Sequence, residues 1–327
     1  MRLEAGGAWH PVQCICSKAI AWVVNRTGAG IKGAVMKGDW AMQGWSRRGW
    51  LRGFGGQVIL GGLAVGGVSG SVAERGDGSA PQEERAIEEK AIEKGRAFLV
   101  GLRIPELGLL PEFSGHRVVW LYHDNYLAAK VLEGSHPTVA EGIRQSIAKY
   151  GVERSGKIEM LFGEAELPLL HYELRDVAEV DGWQIRSEFV TDRIRSQRDI
   201  EGYADLLFFV AIAQTDPRRA ARAMEQAMRM WDGVGFRDRA TEHSGLYATY
   251  KLGLALIAAN RLGSRQVPTP VVDRAVLAGI EQRLRSAQDT SGGWITDYRT
   301  DGSLVGKANV ETTCLAILGI EALAALG

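Results

Sequence analysis

From residue 82 onward, apolar side chains recur at helical spacing, and the pattern predicts eight helices. They fall at about 82–101, 120–133, 137–150, 199–214, 216–231, 241–262, 270–288 and 309–326. Punctuation residues support several ends. Pro81, Pro137 and Pro270 open helices, and Asp216-Pro217 supplies an N-cap followed by an N1 proline. The even-numbered helices are the more apolar. Leu252, Leu254, Ala255, Leu256, Ile257, Ala258 and Ala259 leave the sixth little polar face. The fifth is amphipathic, with Arg218, Arg219, Arg222, Glu225, Gln226 and Arg229 along one side. A helix apolar nearly all round is buried, and an amphipathic one covers it. One segment departs from this period. Strand-like runs fall at 157–162, 169–180 and 183–190, and Asp181-Gly182 is a type I′ hairpin signal.

Alternating covered and covering helices imply an all-α fold. The expected form is an α/α toroid of about four helical hairpins, or an arc of one, with a small β-ribbon inserted near 157–190. This domain is expected over 86–327. Residues 74–85, polar and bearing Gly and Pro, read as a flexible leader. Three turns carry an echo that a repeat would leave. Gly108-Leu109-Leu110 precedes Trp120, Gly233-Val234-Gly235-Phe236 precedes the sixth helix, and Gly292-Gly293-Trp294 precedes the eighth.

Upstream, Ser46-Arg47-Arg48-Gly49-Trp50-Leu51-Arg52 resembles the twin-arginine export signal, Ser/Thr-Arg-Arg-x-Phe-Leu-Lys. Residues 53–73 are uncharged, interrupted by Gly61, Gly62, Gly66, Gly67 and Gly70, and end in Ser71-Val72-Ala73. A charged stretch, a weak apolar stretch and small residues before a cleavage point describe a removable signal over 46–73. The resemblance implies folding in the cytoplasm and work in the periplasm or outside the cell, with membrane anchoring if the signal stays. Residues 1–45 read as an upstream extension, with Met36 and Met42 as alternative starts.

Removing residues 1–73 changes the charge. That stretch holds 8 Lys/Arg and 2 Asp/Glu, so the balanced whole of 39 and 39 becomes 31 and 37, a net of −6. An acidic surface without a basic run argues against nucleic acid as a partner, and the export signal is the only expected contact with a membrane. Cys14 and Cys16 precede the signal, leaving Cys314 alone in an apolar run, where it reads as a buried thiol. No spacing of the histidines suggests a metal site, and no cofactor is expected. Gly-x-Ser-x-Gly is missing from the exported part, so serine nucleophile chemistry has no support.

Leu284-x3-Gln288-x3-Gly292-x-Trp294 resembles the tail of the QW motif of terpene-cyclase toroids, in which Gln ties a helix end to the next turn and Trp fills the gap. The cyclases' Asp-x-Asp-Asp and Asp-Asp-x-x-Asp acids are missing. The helical part more broadly resembles the six-hairpin glycosidase-like superfamily, whose members include hydrolases and lyases of polysaccharides. That resemblance implies that loops entering the inner helices converge on one face. Here those starts carry Asp124, Glu201, Glu242 and Glu311, with Trp120, Tyr122, His123, Asn125, Tyr126, His243, Tyr247 and Trp294 nearby. Rings stack on the apolar faces of sugars, and carboxylates take hydroxyls or move protons. The expectation is an exported carbohydrate-active hydrolase or lyase acting on a glycan or another small molecule. Asp124 pairs with Glu242 or Glu311 as catalytic acid and base, and the eight aromatic, histidine and amide residues bind substrate. Acids in a first helical turn also serve the helix dipole. The alternative is therefore a non-catalytic exported protein that binds a glycan or a partner protein.

Overall fold

The computed structural model describes residues 80–152, 156–164, 170–265 and 272–326. The expected export signal, its expected cleavage point and the extension before them lie outside the described residues. Helix α1 (Ala80–Leu102) leads through a loop to strand β1 (Val118–Trp120), a π-helical segment (Leu121–Tyr126), α2 (Leu127–Leu132) and α3 (Pro137–Ala148). A 3-10 helix (Ile158–Phe162), β2 (Leu170–Val180), β3 (Trp183–Ile194), α4 (Gln197–Glu201), α5 (Ala204–Ala213) and α6 (Pro217–Met228) follow. The rest is α7 (Arg239–Ser244), β4 (Tyr247–Ala248), α8 (Tyr250–Ser264), α9 (Arg274–Ser286), β5 (Ile295–Tyr298), β6 (Leu304–Ala308) and α10 (Val310–Ala324).

The all-α expectation fails, and the toroid or arc of four hairpins with it. The described chain is mixed, 54% helical and 20% strand, with two three-stranded sheets. In the first, β3 is central, antiparallel to β2 and parallel to β1. The hairpin therefore belongs to a sheet that starts before it, and is not a ribbon standing alone. Its turn is as expected for type I′, with Asp181 at φ 50° and Gly182 at φ 75°. The second sheet, β4-β5-β6, joins a piece of the expected sixth helix to two segments for which no element was expected. Strands of two to five residues are too short for a period of two to show.

Three further differences have local causes. Residues 158–162 form a 3-10 helix where a strand was expected. The fourth expected helix divides into α4 and α5 around Gly202-Tyr203, and Tyr203 is extended. The sixth divides because Gly245 ends α7 in the left-handed region at φ 71°, releasing Tyr247-Ala248 to pair with β5. The N-cap at Asp216 is present, its side chain accepting from the backbone N–H groups of Arg218 and Arg219.

Burial follows the expected alternation. Helices α5, α8 and α10 are buried over most of their length, while α6 and α9 bury one face. Helices α8 and α10 touch backbone to backbone at two glycines. A Cβ on Gly253 would overlap the Leu315 carbonyl, and one on Gly319 would lie 2.8 Å from the Gly253 Cα. Gln288 donates to the carbonyls of Gly292 and Ala91, both at 2.8 Å. Trp294, fully buried, donates to the Leu284 carbonyl at 2.9 Å. Among the described residues, no helix is long and apolar enough to cross a membrane. Because the atoms facing Gly253 are backbone and cannot rotate away, Gly253→Ala should cost about 1–3 kcal/mol or more. Denaturant unfolding would read this as a lower midpoint with an unchanged slope.

Candidate functional site

Asn125 starts the site. Its side-chain oxygen accepts from the Leu110 N–H at 2.7 Å, and its nitrogen donates to the carbonyls of Leu110 at 2.9 Å and Trp120 at 2.8 Å. A side-chain donor inserted at the opening of a helix widens its turn, which accounts for the π-helical Leu121–Tyr126. All six residues of that segment are buried. His123 and Asp124 are thus carried into the interior by a segment whose own backbone Asn125 holds in place.

There His123 lies between two carboxylates. Its Nε2 is 2.7 Å from Glu311 Oε1, on the first turn of α10, and its Nδ1 is 3.4 Å from Glu188 Oε1, on β3. The imidazolium form is the one that can donate to both. Asn309 accepts from the Thr312 N–H at 2.9 Å and so fixes the start of α10 beneath Glu311. Lys157, buried at the start of the 3-10 helix, places Nζ 3.9 Å from Glu188. Glu112, also buried, lies 3.2 Å from His116 Nδ1 and 3.4 Å from the indole nitrogen of Trp120.

Two carboxyls in this cluster are driven in opposite directions. Burial pushes Asp124 well above the usual carboxylate range. His123 offsets part of this, and the neighbouring charges of Glu112, Glu311 and Glu188 add to it. Its Oδ2 is buried without a hydrogen-bond partner. Burial also works against ionisation of Glu188, but Lys157, His123 and Arg195 outweigh it and hold this carboxyl at about 2. A carboxyl raised by burial and a carboxylate held low therefore share the surroundings of one histidine.

The structure brings Asp124, His123 and Glu311 together, with Trp120 and Asn125 beside them. It separates the others. Glu242 and His243 are exposed on α7. Trp294 fills the core under α1, where its ring meets Gly95. Tyr247 is stacked on Tyr298 at 5.5 Å in the second sheet and donates to Asp232 at 2.5 Å. Asn125 uses its amide on backbone. Tyr122 donates to the Val152 carbonyl at 2.7 Å, and Tyr126 donates to Glu164. Sequence reasoning missed Glu188, Lys157 and Glu112. The single usable signal was that Glu188 shares the polar face of its strand with Gln184 and Arg186, as alternation requires. Among the described residues, no group of three or more His, Cys, Asp or Glu is arranged to hold a metal ion.

Comparison with protein-family models, with curated proteins and with solved structures finds no match.

The raised Asp124 has a consequence for stability. The unfolded chain gives up this proton above the ordinary aspartate value, while the folded chain retains it. The contribution of Asp124 to stability is thus greatest in acid and declines as pH rises from about 4. Asp124→Asn removes that decline. The variant should match the wild type near pH 4 and equal or exceed it at pH 7, as chemical denaturation at the two pH values would show.

Proposed function

We propose that the chain is an exported enzyme that breaks glycosidic bonds by acid/base catalysis. The observation that carries this reading is the meeting of Asp124 and Glu311 at His123, with burial raising the Asp124 carboxyl. Asp124 is the acid. It gives its proton to the glycosidic oxygen as the bond from that oxygen to carbon breaks. Glu311 is the base, taking a proton from the water that adds at the anomeric carbon, or from a sugar C–H in a lyase. Glu188, held at about 2, is too weak a base for that step. It keeps a negative charge beside His123 and so positions the ring that faces Glu311. Trp120 is 6% exposed, with the Arg186 guanidinium 5.7 Å over its ring and its N–H directed to Glu112, so in this reading it supports the site rather than stacking on a sugar. The export part of the reading rests on the resemblance of Ser46–Arg52 to the twin-arginine signal.

One observation favours a second reading, an exported protein that binds a glycan or a partner protein without turnover. Asp124 and Glu311 are 1% and 2% exposed, which suits an architectural ion cluster. The two readings diverge under Asp124→Asn in the exported chain. As acid, Asp124 should lose about 100- to 10,000-fold in release of sugar ends from a polysaccharide panel, with its circular dichroism unchanged. Release that survives the substitution removes Asp124 from the chemistry. Saturable glycan binding with no release by the wild type supports the binding protein.

A further inference from the structure

Helices α8 and α10 lie side by side and approach closely at two places. Gly253 packs on Leu315 and Gly319, and further along a Cβ on Gly263 would lie 2.6 Å from a Leu326 methyl. In the stretch between these contacts, Ile257 and Asn260 on α8 and Glu321 and Ala322 on α10 line a hollow of about 280 Å³. Leu318 and the last two residues of the 3-10 helix, Leu161 and Phe162, complete its lining. Protein interiors are otherwise close-packed, so a hollow of this size persists only where its walls cannot close. Here they are pinned. Arg261 donates to the Leu161 carbonyl at 3.1 Å, and the Phe162 ring stands edge-on to Tyr126 with 6.3 Å between ring centres. Glu321 is tied to Arg96 on α1 at 2.6 Å.

The charges around the hollow are balanced and already spent. Arg96 binds both Glu93 and Glu321, each at 2.6 Å. Lys130, whose ammonium lies 5.4 Å from the centre of the Phe162 ring, is held by Glu164 at 2.7 Å. Arg261 gives its guanidinium to the Leu161 carbonyl. Three cations thus face three carboxylates, and no ion of either sign is called for. The polar group left over is Asn260. Among the described residues none bonds to its half-buried side-chain amide, which offers both donors and an acceptor.

We propose that this hollow binds a small uncharged amphiphile, an apolar body carrying one hydroxyl or primary amide that pairs with Asn260. At the share of volume a water takes in the liquid, about 30 Å³, the hollow holds about nine non-hydrogen atoms. That is too little for a helix or strand of a partner protein, and mainly apolar walls with one polar group suit a small molecule better than water. The site does not rest on the glycan reading. Glu321 lies ten residues beyond Glu311 on α10, about 15 Å along the helix axis.

Methyl NMR of the full chain, titrated with 2-phenylethanol, tests the site. Saturable shifts are expected at Leu161, Ile257 and Leu318, with a dissociation constant on the order of a millimolar or tighter. Phenylacetate and 2-phenylethylammonium keep the ring but carry a charge. Each should bind about tenfold more weakly, since neither finds an unspent partner. Ala322→Leu fills the hollow from α10 and should abolish the shifts. Asn260→Ala should weaken binding about fivefold, and it carries the test if the bulkier variant loses the native spectrum. Shifts that do not saturate, shifts that spread away from these methyls, or full affinity in a folded Ala322→Leu overturn the site. Full affinity in Asn260→Ala, or binding of either ion as tight as that of the alcohol, overturns the chemical class.

Discussion

Placing a histidine between two buried carboxylates constrains everything around it. His123 comes from the π-helical segment, Glu188 from the first sheet and Glu311 from α10, and all three are nearly sealed from water. Taking such charges out of water costs several kcal/mol per ion, and mutual attraction returns that only when the geometry is good. Removing one partner strands the others. The three elements therefore cannot drift independently. A shift of the sheet against α10 leaves at least one charge buried and unpaired, a penalty that apolar packing alone would not impose.

The same logic repeats at Asp238. A single carboxylate satisfies the first N–H groups of α7, the Ala204 N–H at the opening of α5, and the Lys251 ammonium on α8. Between the two centres run Arg195, 6.0 Å over the Tyr172 ring, and Tyr250, which donates to Asp205 at 3.2 Å. Each sheet contributes one acid to one centre, Glu188 from β3 and Asp297 from β5. The sheets have three strands each, and they set the spacing between acids and cations that helices alone would leave free.

Legibility in the sequence followed the length scale of each signal. Long periodic stretches such as 250–264 and 310–324 read correctly as buried helices, because many residues vote on the same period. Asp216-Pro217 and Asp181-Gly182 were legible because cap and turn chemistry is local. Strands β4, β5 and β6 were not, since their pairing partners lie up to about fifty residues apart and no single strand carries a pattern. The site was legible in the same uneven way. His123-Asp124-Asn125 stood out as polar residues amid aromatics, and Glu311 as an acid opening an apolar helix. Glu188 sits among several acids of a hairpin, and only the tertiary approach of His123 and Lys157 distinguishes it from Glu173 or Glu179. Glu242 looked equal to Glu311 in sequence, yet α7 presents it to solvent.

The π-helical segment makes orientation depend on chain length. Compared with an α-helix, a wider turn accommodates extra chain between two fixed ends, here Trp120, paired with Arg186 in the first sheet, and the start of α2. Each residue in a helix points about 100° from the one before it. Deleting one residue from Leu121–Tyr126 would let the segment relax to an ordinary helix, retaining every remaining side chain in order but turning them onto different neighbours. His123 would then leave the line between Glu188 and Glu311 without any member of the cluster having changed. For this interior, a residue count within one short segment is as much a part of the chemistry as the identity of the acids.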